Sequence, residues 1–150
     1  MNNQFSSKMN LDGFKKKLVA STASIFSWDE VNADEKSTTL STLYMLPQFD
    51  DLLKIFVDVD KEGFVAFTIV FDKIDYTHDT LKLVNYFNAN VPFLKAYVEK
   101  ARREYYLKIQ YNCLVKSEDE AVAKFEEFFG ILANKGIATY LKPLTVITEE

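Results

Sequence analysis

The chain is poor in the residues from which most reactive sites are built. Cys113 is its single cysteine and His78 its single histidine, so an intramolecular disulfide is impossible and a metal site would need carboxylates alone. Four glycines make a phosphate-binding loop hard to build. No nucleophile-elbow, nucleotide-binding or metalloprotease motif occurs. The sequence therefore predicts a protein that is not an enzyme and that holds no cofactor and no metal.

Long apolar runs are absent as well. No stretch approaches the roughly 20 apolar residues of a transmembrane helix, and the first residues lack the apolar core of a signal peptide. Because a single cysteine forms no intramolecular disulfide, the sequence does not require an oxidising compartment. We therefore expect a cytoplasmic protein without a membrane partner. The net charge of −4, from 18 basic and 22 acidic residues, gives the whole chain no attraction for nucleic acid.

Aromatic residues, in contrast, are plentiful. The chain has 13 Phe and 8 Tyr among 150 residues, more than a core of this size hides, so some rings are expected at the surface, where they favour contacts with partners. The length fits one hydrophobic core. We expect a flexible N-terminus at 1–9 and a single α+β domain at 10–150, with no linker and no internal repeat.

Periodicity in the first half predicts one helix and three strands. Apolar residues between Leu11 and Phe26 recur at helical spacing. The acidic, turn-rich segment 27–37 is interpreted as a loop. Strands are predicted at 38–46, 52–59 and 64–71, and a turn at 60–63 joins the last two as a hairpin.

The second half predicts a helix, a hairpin and another helix. Thr77 is placed to cap the first of these helices, which ends near Asn90. Two alternating strands follow, 93–99 and a longer one ending at Val115, joined by a charged turn at 100–103. Ser117 and Glu120 form a capping box for the last helix, with Gly136 as its end and a short strand at 137–141 behind it.

This order, helix-β-β-β-helix-β-β-helix, predicts an antiparallel twisted sheet with the helices packed on one face. Within it, the segments NYFNAN (85–90), KAYVEK (95–100), YYLKIQYN (105–112) and SEDEAVAKFEEFFGIL (117–132) resemble the YbjN-like family, which shares its fold with the type III secretion chaperones. The similarity covers about 52–132. It implies a small acidic protein, commonly a homodimer, that binds other polypeptides and has no catalytic residues.

Strand parity indicates which side chains a partner would meet. If one sheet face packs on the helices, the other carries a set of aromatic and basic residues that a monomer would not leave uncovered. These are the candidate partner-binding residues: Phe56, Phe64, Phe93, Lys95, Tyr97, Tyr106 and Lys108. The competing expectation is that the tail 137–147 folds back over this face.

A non-enzymatic protein-binding module, chaperone-like or acting as an adaptor, is therefore the favoured function. Two alternatives stay open. Tyrosines and basic residues of the hairpin 93–112 could bind single-stranded nucleic acid, although Glu99 and Glu104 bracket its turn and disfavour this. The acidic charge would also suit an inhibitor or decoy that blocks a partner's binding groove.

Overall fold

The computed structural model describes residues 8–45, 52–74 and 77–146. In these ranges the chain forms four helices and six strands in the order α1-β1-β2-β3-β4-α2-β5-β6-α3-α4. The helices are α1 (Leu11–Thr22), α2 (His78–Asn90), α3 (Glu118–Leu132) and α4 (Lys135–Val146). The strands are β1 (Asp29–Ala33), β2 (Ser37–Met45), β3 (Leu52–Asp60), β4 (Phe64–Ile74), β5 (Lys95–Ala101) and β6 (Glu104–Leu114).

All six strands form one sheet in the order β1-β2-β3-β4-β6-β5, and every neighbouring pair is antiparallel. The predicted α+β class is confirmed. Alternation along the strands explains the arrangement, because Ile55 and Val57 of β3 and Phe67 of β4 point to the same side and are fully buried. The core lies between this side of the sheet and the helices.

Aromatic rings on α3 hold that helix against the middle of the sheet. The ring centroid of Phe67 lies 5.4 Å from that of Phe125 and 5.3 Å from that of Phe128. Phe125 also contacts Phe26 and Trp28, at 5.8 and 5.4 Å. Edge-to-face contacts of this kind add to the free energy of burial, so this aromatic cluster is the centre of the core.

The capping residues read from the sequence start their helices as predicted. The side chain of Thr77 accepts a hydrogen bond from the Thr80 amide, and the side chain of Thr80 accepts one from the Thr77 amide, forming a complete capping box. Ser117 accepts from the Glu120 amide at 3.1 Å. Glu120 reaches one residue further back than the capping box predicts, to the Lys116 amide.

Segment 27–37 was expected to be a loop, and this is wrong for its middle. Asp29–Ala33 pairs with β2 as an edge strand, with an irregularity between Glu30 and Asn32. All five of its residues are exposed. The strand is therefore held by main-chain pairing with β2, and its sequence has no alternating apolar pattern from which it could be predicted.

The C-terminal expectation is also wrong. Gly136 does not end a helix and 137–141 is not a strand, because α4 runs from Lys135 to Val146 through both. Leu141 and Leu144, three residues apart, are fully buried, and the ring of Tyr140 lies 5.8 Å from that of Tyr86 on α2. Packing of this apolar stripe on α2 and α3 stabilises the helix despite Pro143 within it.

The N-terminal boundary also differs from the sequence prediction. Residues 1–7 of the expected flexible segment lie outside the described part. Met9, however, is buried, and its amide donates to the Lys61 carbonyl at 2.9 Å. Helix α1 ends at Thr22, so Ile25, which the helical spacing had included, lies beyond it and is exposed.

The two edge strands of the sheet, β5 and β1, are protected from further strand pairing in different ways. At β5 the Asn88 side chain lies beside Ala96, donating from Nδ2 to the Ala96 carbonyl at 2.9 Å and accepting from the Ala96 amide at 2.7 Å. It therefore satisfies main-chain groups that a further strand would otherwise bind. The other edge, β1, is short and irregular, and the ion pair between Glu30 and Lys15 ties it to α1.

Candidate functional site

The side of the sheet opposite the helices is here called the open face. The side chains at its centre lie in three rows that cross the strands, as the register defines them. The middle row is Ser41, Phe56, Thr68, Gln110 and Lys95. The lysine row is Leu43, Lys54, Val70, Lys108 and Tyr97. The aspartate row is Thr39, Asp58, Ala66 and Asn112.

A shallow groove of about 350 Å³ crosses the centre of the open face. It brings together Phe56 from β3, Tyr97 from β5 and Lys108 from β6, three of the predicted partner-binding residues. Tyr97 and Lys108 are register neighbours. The floor is fixed, because Gln110 donates to Thr68 at 3.1 Å and Thr68 is buried although it belongs to the open face.

A second groove of about 540 Å³ lies at the end of the open face, beyond the aspartate row. Phe64 and Leu114 face each other across β4 and β6 in its wall. They are 60% and 62% exposed, the highest values among the exposed large apolar residues of the described chain. A pair of adjacent apolar side chains this exposed marks a surface suited to a partner.

Charged groups on the open face are balanced and held in place. Lys108 pairs with Glu99, and the ammonium of Lys54 lies 5.2 Å from the centre of the Phe56 ring. Asp58 accepts from the Thr39 hydroxyl at 2.5 Å. Asp60 accepts instead from the amides of Glu62 and Phe64, which fix the turn after β3.

The surroundings of Tyr97 raise the pKa of its hydroxyl. Burial is the main cause, with Glu99 and Asp58 adding to the rise and Lys108 opposing it. Tyr97 contributes its ring and its hydroxyl to the central groove.

The other predicted residues divide into two groups. Lys95 and Tyr106 lie on the open face in β5 and β6, and the Tyr106 hydroxyl donates to Glu104 at 3.0 Å. Phe93 is exposed but lies in the turn before β5, and it lines neither groove. It is the one predicted residue that the fold does not bring to the sheet surface.

The tail does not cover the open face within its described part. Helix α4 packs against α2 and α3, on the opposite side of the sheet. The expectation that 137–147 folds back over the aromatic face is therefore wrong for residues 137–146, and Ile147 lies outside the described residues. The open face stays uncovered by the described chain.

The hairpin with the basic turn does not form a continuous basic track. Tyr105 and Tyr111 lie on the helix side, as parity predicted, and Tyr111 stacks on Phe67 at 6.0 Å between ring centroids. Lys100 lies over the Tyr105 ring at 5.7 Å. Lysines and tyrosines of this hairpin are thus divided between the two sides of the sheet.

Several open-face residues were missing from the sequence prediction. Leu114 shares the parity of Tyr106 and Lys108 and lies within the predicted strand that ends at Val115, so parity alone would have placed it on the open face. Leu43 and Met45 are exposed on β2, where a Thr-rich sequence hides the alternation. Asp58 shares the parity of Lys54 and Phe56 but was not among the predicted partner-binding residues, and the structure places it beside the central groove.

Reactive groups elsewhere offer little chemistry. Burial raises the pKa of the Cys113 thiol, so its nucleophilic form is disfavoured. His78 is exposed at the start of α2. Across residues 8–45, 52–74 and 77–146, no three His, Cys, Asp or Glu side chains are grouped to hold a metal ion. None of the helices in those ranges is long and apolar enough to cross a bilayer.

Comparison with protein-family models, with curated proteins and with solved structures finds no match.

Proposed function

We propose that the protein is a non-enzymatic protein-binding module, and that the open face is the surface that another polypeptide covers. The observation that carries the proposal is an uncovered sheet face with Phe56, Phe64 and Leu114 on it, while all four described helices pack on the other side. Adjacent exposed apolar side chains on a sheet face that no described element covers are typical of a surface that a partner covers.

The composition of the open face supports a protein partner. Half-buried rings at Phe56 and Tyr97 beside Lys108 and Gln110 resemble the aromatic centre and polar surroundings of protein interfaces. Lys108 lies beside Glu99 and Lys54 lies over the Phe56 ring, so these two lysines do not form a row of unpaired cations for a phosphate backbone. The grooves are also shallow, which suits a polypeptide better than a small substrate.

Affinity capture with two matched variants tests the proposal. Phe64→Ser with Leu114→Ser removes the two most exposed apolar residues of the open face. Val19→Ser with Ile25→Ser removes two exposed apolar residues away from it. We expect the wild type and the second variant to retain the same proteins and the first variant to lose them, with purified components then confirming direct binding. Equal retention by all three would contradict the proposal.

A further inference from the structure

The charges of the open face are arranged in a self-complementary order. On β3, Lys54 precedes Phe56 by two residues and Asp58 follows it by two, and all three belong to the open face. On β6, Tyr106 and Leu114 stand at equal distances on either side of Gln110. The middle row therefore separates a basic side from an acidic side on β3, and an aromatic from an aliphatic residue on β6.

We propose that the polypeptide covering the open face is a second copy of this chain, related to the first by a two-fold axis along the middle row. This inference rests on the proposed function and names its partner. Such an axis lies in the plane of the interface and reverses the strand direction of the second copy. The lysine row of each copy then faces the aspartate row of the other.

The geometry gives two equivalent ion pairs and two apolar contacts. Lys54 of each copy faces Asp58 of the other, and Leu114 faces Tyr106. Phe56 lies at the axis and meets its own equivalent. Facing sheets pack about 10 Å apart and within about 30° of parallel. Residues two positions from the axis are therefore displaced by only a few ångströms, which a lysine side chain spans.

The alternative two-fold axis, parallel to the strands, is disfavoured. It would place the lysine row of one copy on that of the other, and like charges facing each other across an interface oppose binding. Lys95 meets its equivalent in the favoured arrangement too, but it is exposed on an edge strand, where solvent and salt screen the repulsion.

Charge favours a second copy over a strongly basic or strongly acidic partner. Among the described side chains of β3 to β6, the open face carries three cations and four anions, so its net charge of −1 is close to zero although the whole chain has a net charge of −4. These are Lys54, Lys95, Lys108, Asp58, Asp60, Glu99 and Glu104. A surface for a strongly basic or acidic partner would carry an excess of the opposite sign, whereas a surface for its own copy needs charges of both signs.

The area is also sufficient. Five strands at about 4.8 Å spacing and about eight residues of 3.4 Å each give a flat area of roughly 650 Å² per copy. Side-chain relief increases the accessible area above this value. Stable interfaces of standard size bury about 800 Å² per partner, so the open face alone is large enough for a dimer.

Analytical ultracentrifugation of charge variants tests the arrangement. We expect the wild type to sediment at twice the chain mass of 17.3 kDa as its concentration rises. Lys54→Asp and Asp58→Lys should each weaken self-association about tenfold or more, because each places like charges opposite one another. Mixed in equal amounts, the two variants should associate again, since both facing pairs are then of opposite sign.

Lys16→Asp makes the same charge change on an exposed lysine of α1 and should leave the dimer intact. Circular dichroism checks that each variant folds. If Asp58→Lys does not fold, Asp58→Asn replaces it, because the amide oxygen can still accept from Thr39. A mixture of Lys54→Asp with Asp58→Asn should still associate more strongly than Lys54→Asp alone.

A wild type that stays monomeric to millimolar concentration would overturn the dimer, as would a mixture that associates no better than its components. Capture with the Phe64→Ser, Leu114→Ser variant separates this failure from failure of the proposed function. If the wild type is monomeric and that variant loses captured proteins, only the second-copy inference fails. If the wild type is monomeric and capture is unchanged, both fail.

Discussion

Gly63 is a position where a small substitution, glycine to alanine, should strongly lower the free energy of unfolding. It closes the turn between β3 and β4 with φ of +92°, a conformation that side chains rarely adopt. A Cβ atom built on it would lie 2.2 Å from the carbonyl oxygen of Val115. The neighbour is main chain and so cannot rotate away, and Gly63→Ala must therefore move the end of β6 or the turn itself.

The expected loss of stability in Gly63→Ala is estimated from its separate contributions. The backbone conformation alone costs an alanine about 1 to 2 kcal/mol. Relief of the clash separates Gly63 from Val115, whose amide donates to the Gly63 carbonyl at 2.8 Å, and loss of that hydrogen bond adds about 1 kcal/mol. We expect Gly63→Ala to lower the free energy of unfolding by about 3 kcal/mol and the melting temperature by about 10 °C.

Urea denaturation followed by tryptophan fluorescence measures this change. Trp28 is the only tryptophan. It lies 5.5 Å from Phe26 between ring centroids and donates to the Thr22 hydroxyl at 2.8 Å, so it reports on the aromatic cluster rather than on the mutated turn. A fall in the unfolding midpoint with an unchanged slope would indicate lost native stability.

Gly130→Ala is the matched control. Gly130 lies in α3, and a Cβ atom there would meet nothing within 4 Å. Alanine should stabilise the helix by about 0.5 to 1 kcal/mol. We therefore expect the free energy of unfolding to fall in Gly63→Ala and to rise in Gly130→Ala. A loss below about 1 kcal/mol at Gly63 would refute the reasoning from positive φ and close approach.

Three further predictions concern single side chains. Asn88→Ala should lower the free energy of unfolding by about 2 kcal/mol because it removes both hydrogen bonds to Ala96. Asn85→Ala on the same helix should not destabilise the protein in thermal melts, and equal effects of the two substitutions would contradict the role given to Asn88. The amides of Lys36 and Ser37 lower the pKa of Asp34, so its stabilisation is present above its ordinary pKa of 3.8 and is lost as pH falls through the lower folded value. Melts across this acid range should therefore show a steeper loss in the wild type than in Asp34→Asn, and parallel curves would count against it. Burial raises the pKa of Cys113, so alkylation by iodoacetamide should reach half its maximal rate at higher pH in native than in urea-unfolded protein, and coincident pH profiles would refute this.

Where local pattern and tertiary packing agree, the sequence predicted the structure well. The hairpins of β3 with β4 and of β5 with β6 follow from alternation along β3, β5 and β6 and from the apolar run of β4 after a turn. The helix starts at Thr77 and Ser117 follow from capping chemistry. These signals are local, so they can be read without knowing what lies beside them.

The sequence predictions failed where contacts with neighbouring elements determine the secondary structure. Strand β1 has no buried residue and exists through its pairing with β2. In α4, the spacing of Ile137, Leu141 and Leu144 was a helical signal, but Gly136 and Pro143 argued for an end. Packing against α2 and α3 outweighed both.

The candidate site was predicted in part for the same reason. Parity along β3, β5 and β6 placed Phe56, Tyr97 and Lys108 on one surface, and the structure brings them into one groove. Parity cannot give the order of strands in the sheet. Parity along β3 alone puts Lys54 and Asp58 on either side of Phe56, but the position of Asp58 beside that groove, which β5 and β6 also line, required the strand order and register.

The contact between Asn88 and Ala96 has a consequence for how this protein avoids aggregation. A sheet grows sideways when a foreign strand binds the unpaired main chain at its rim, as in amyloid. At β5, a side chain from α2 already occupies that place. At β1, a short acidic strand with an irregular register offers a poor template. Both edges thus discourage lateral growth of the sheet by strand addition.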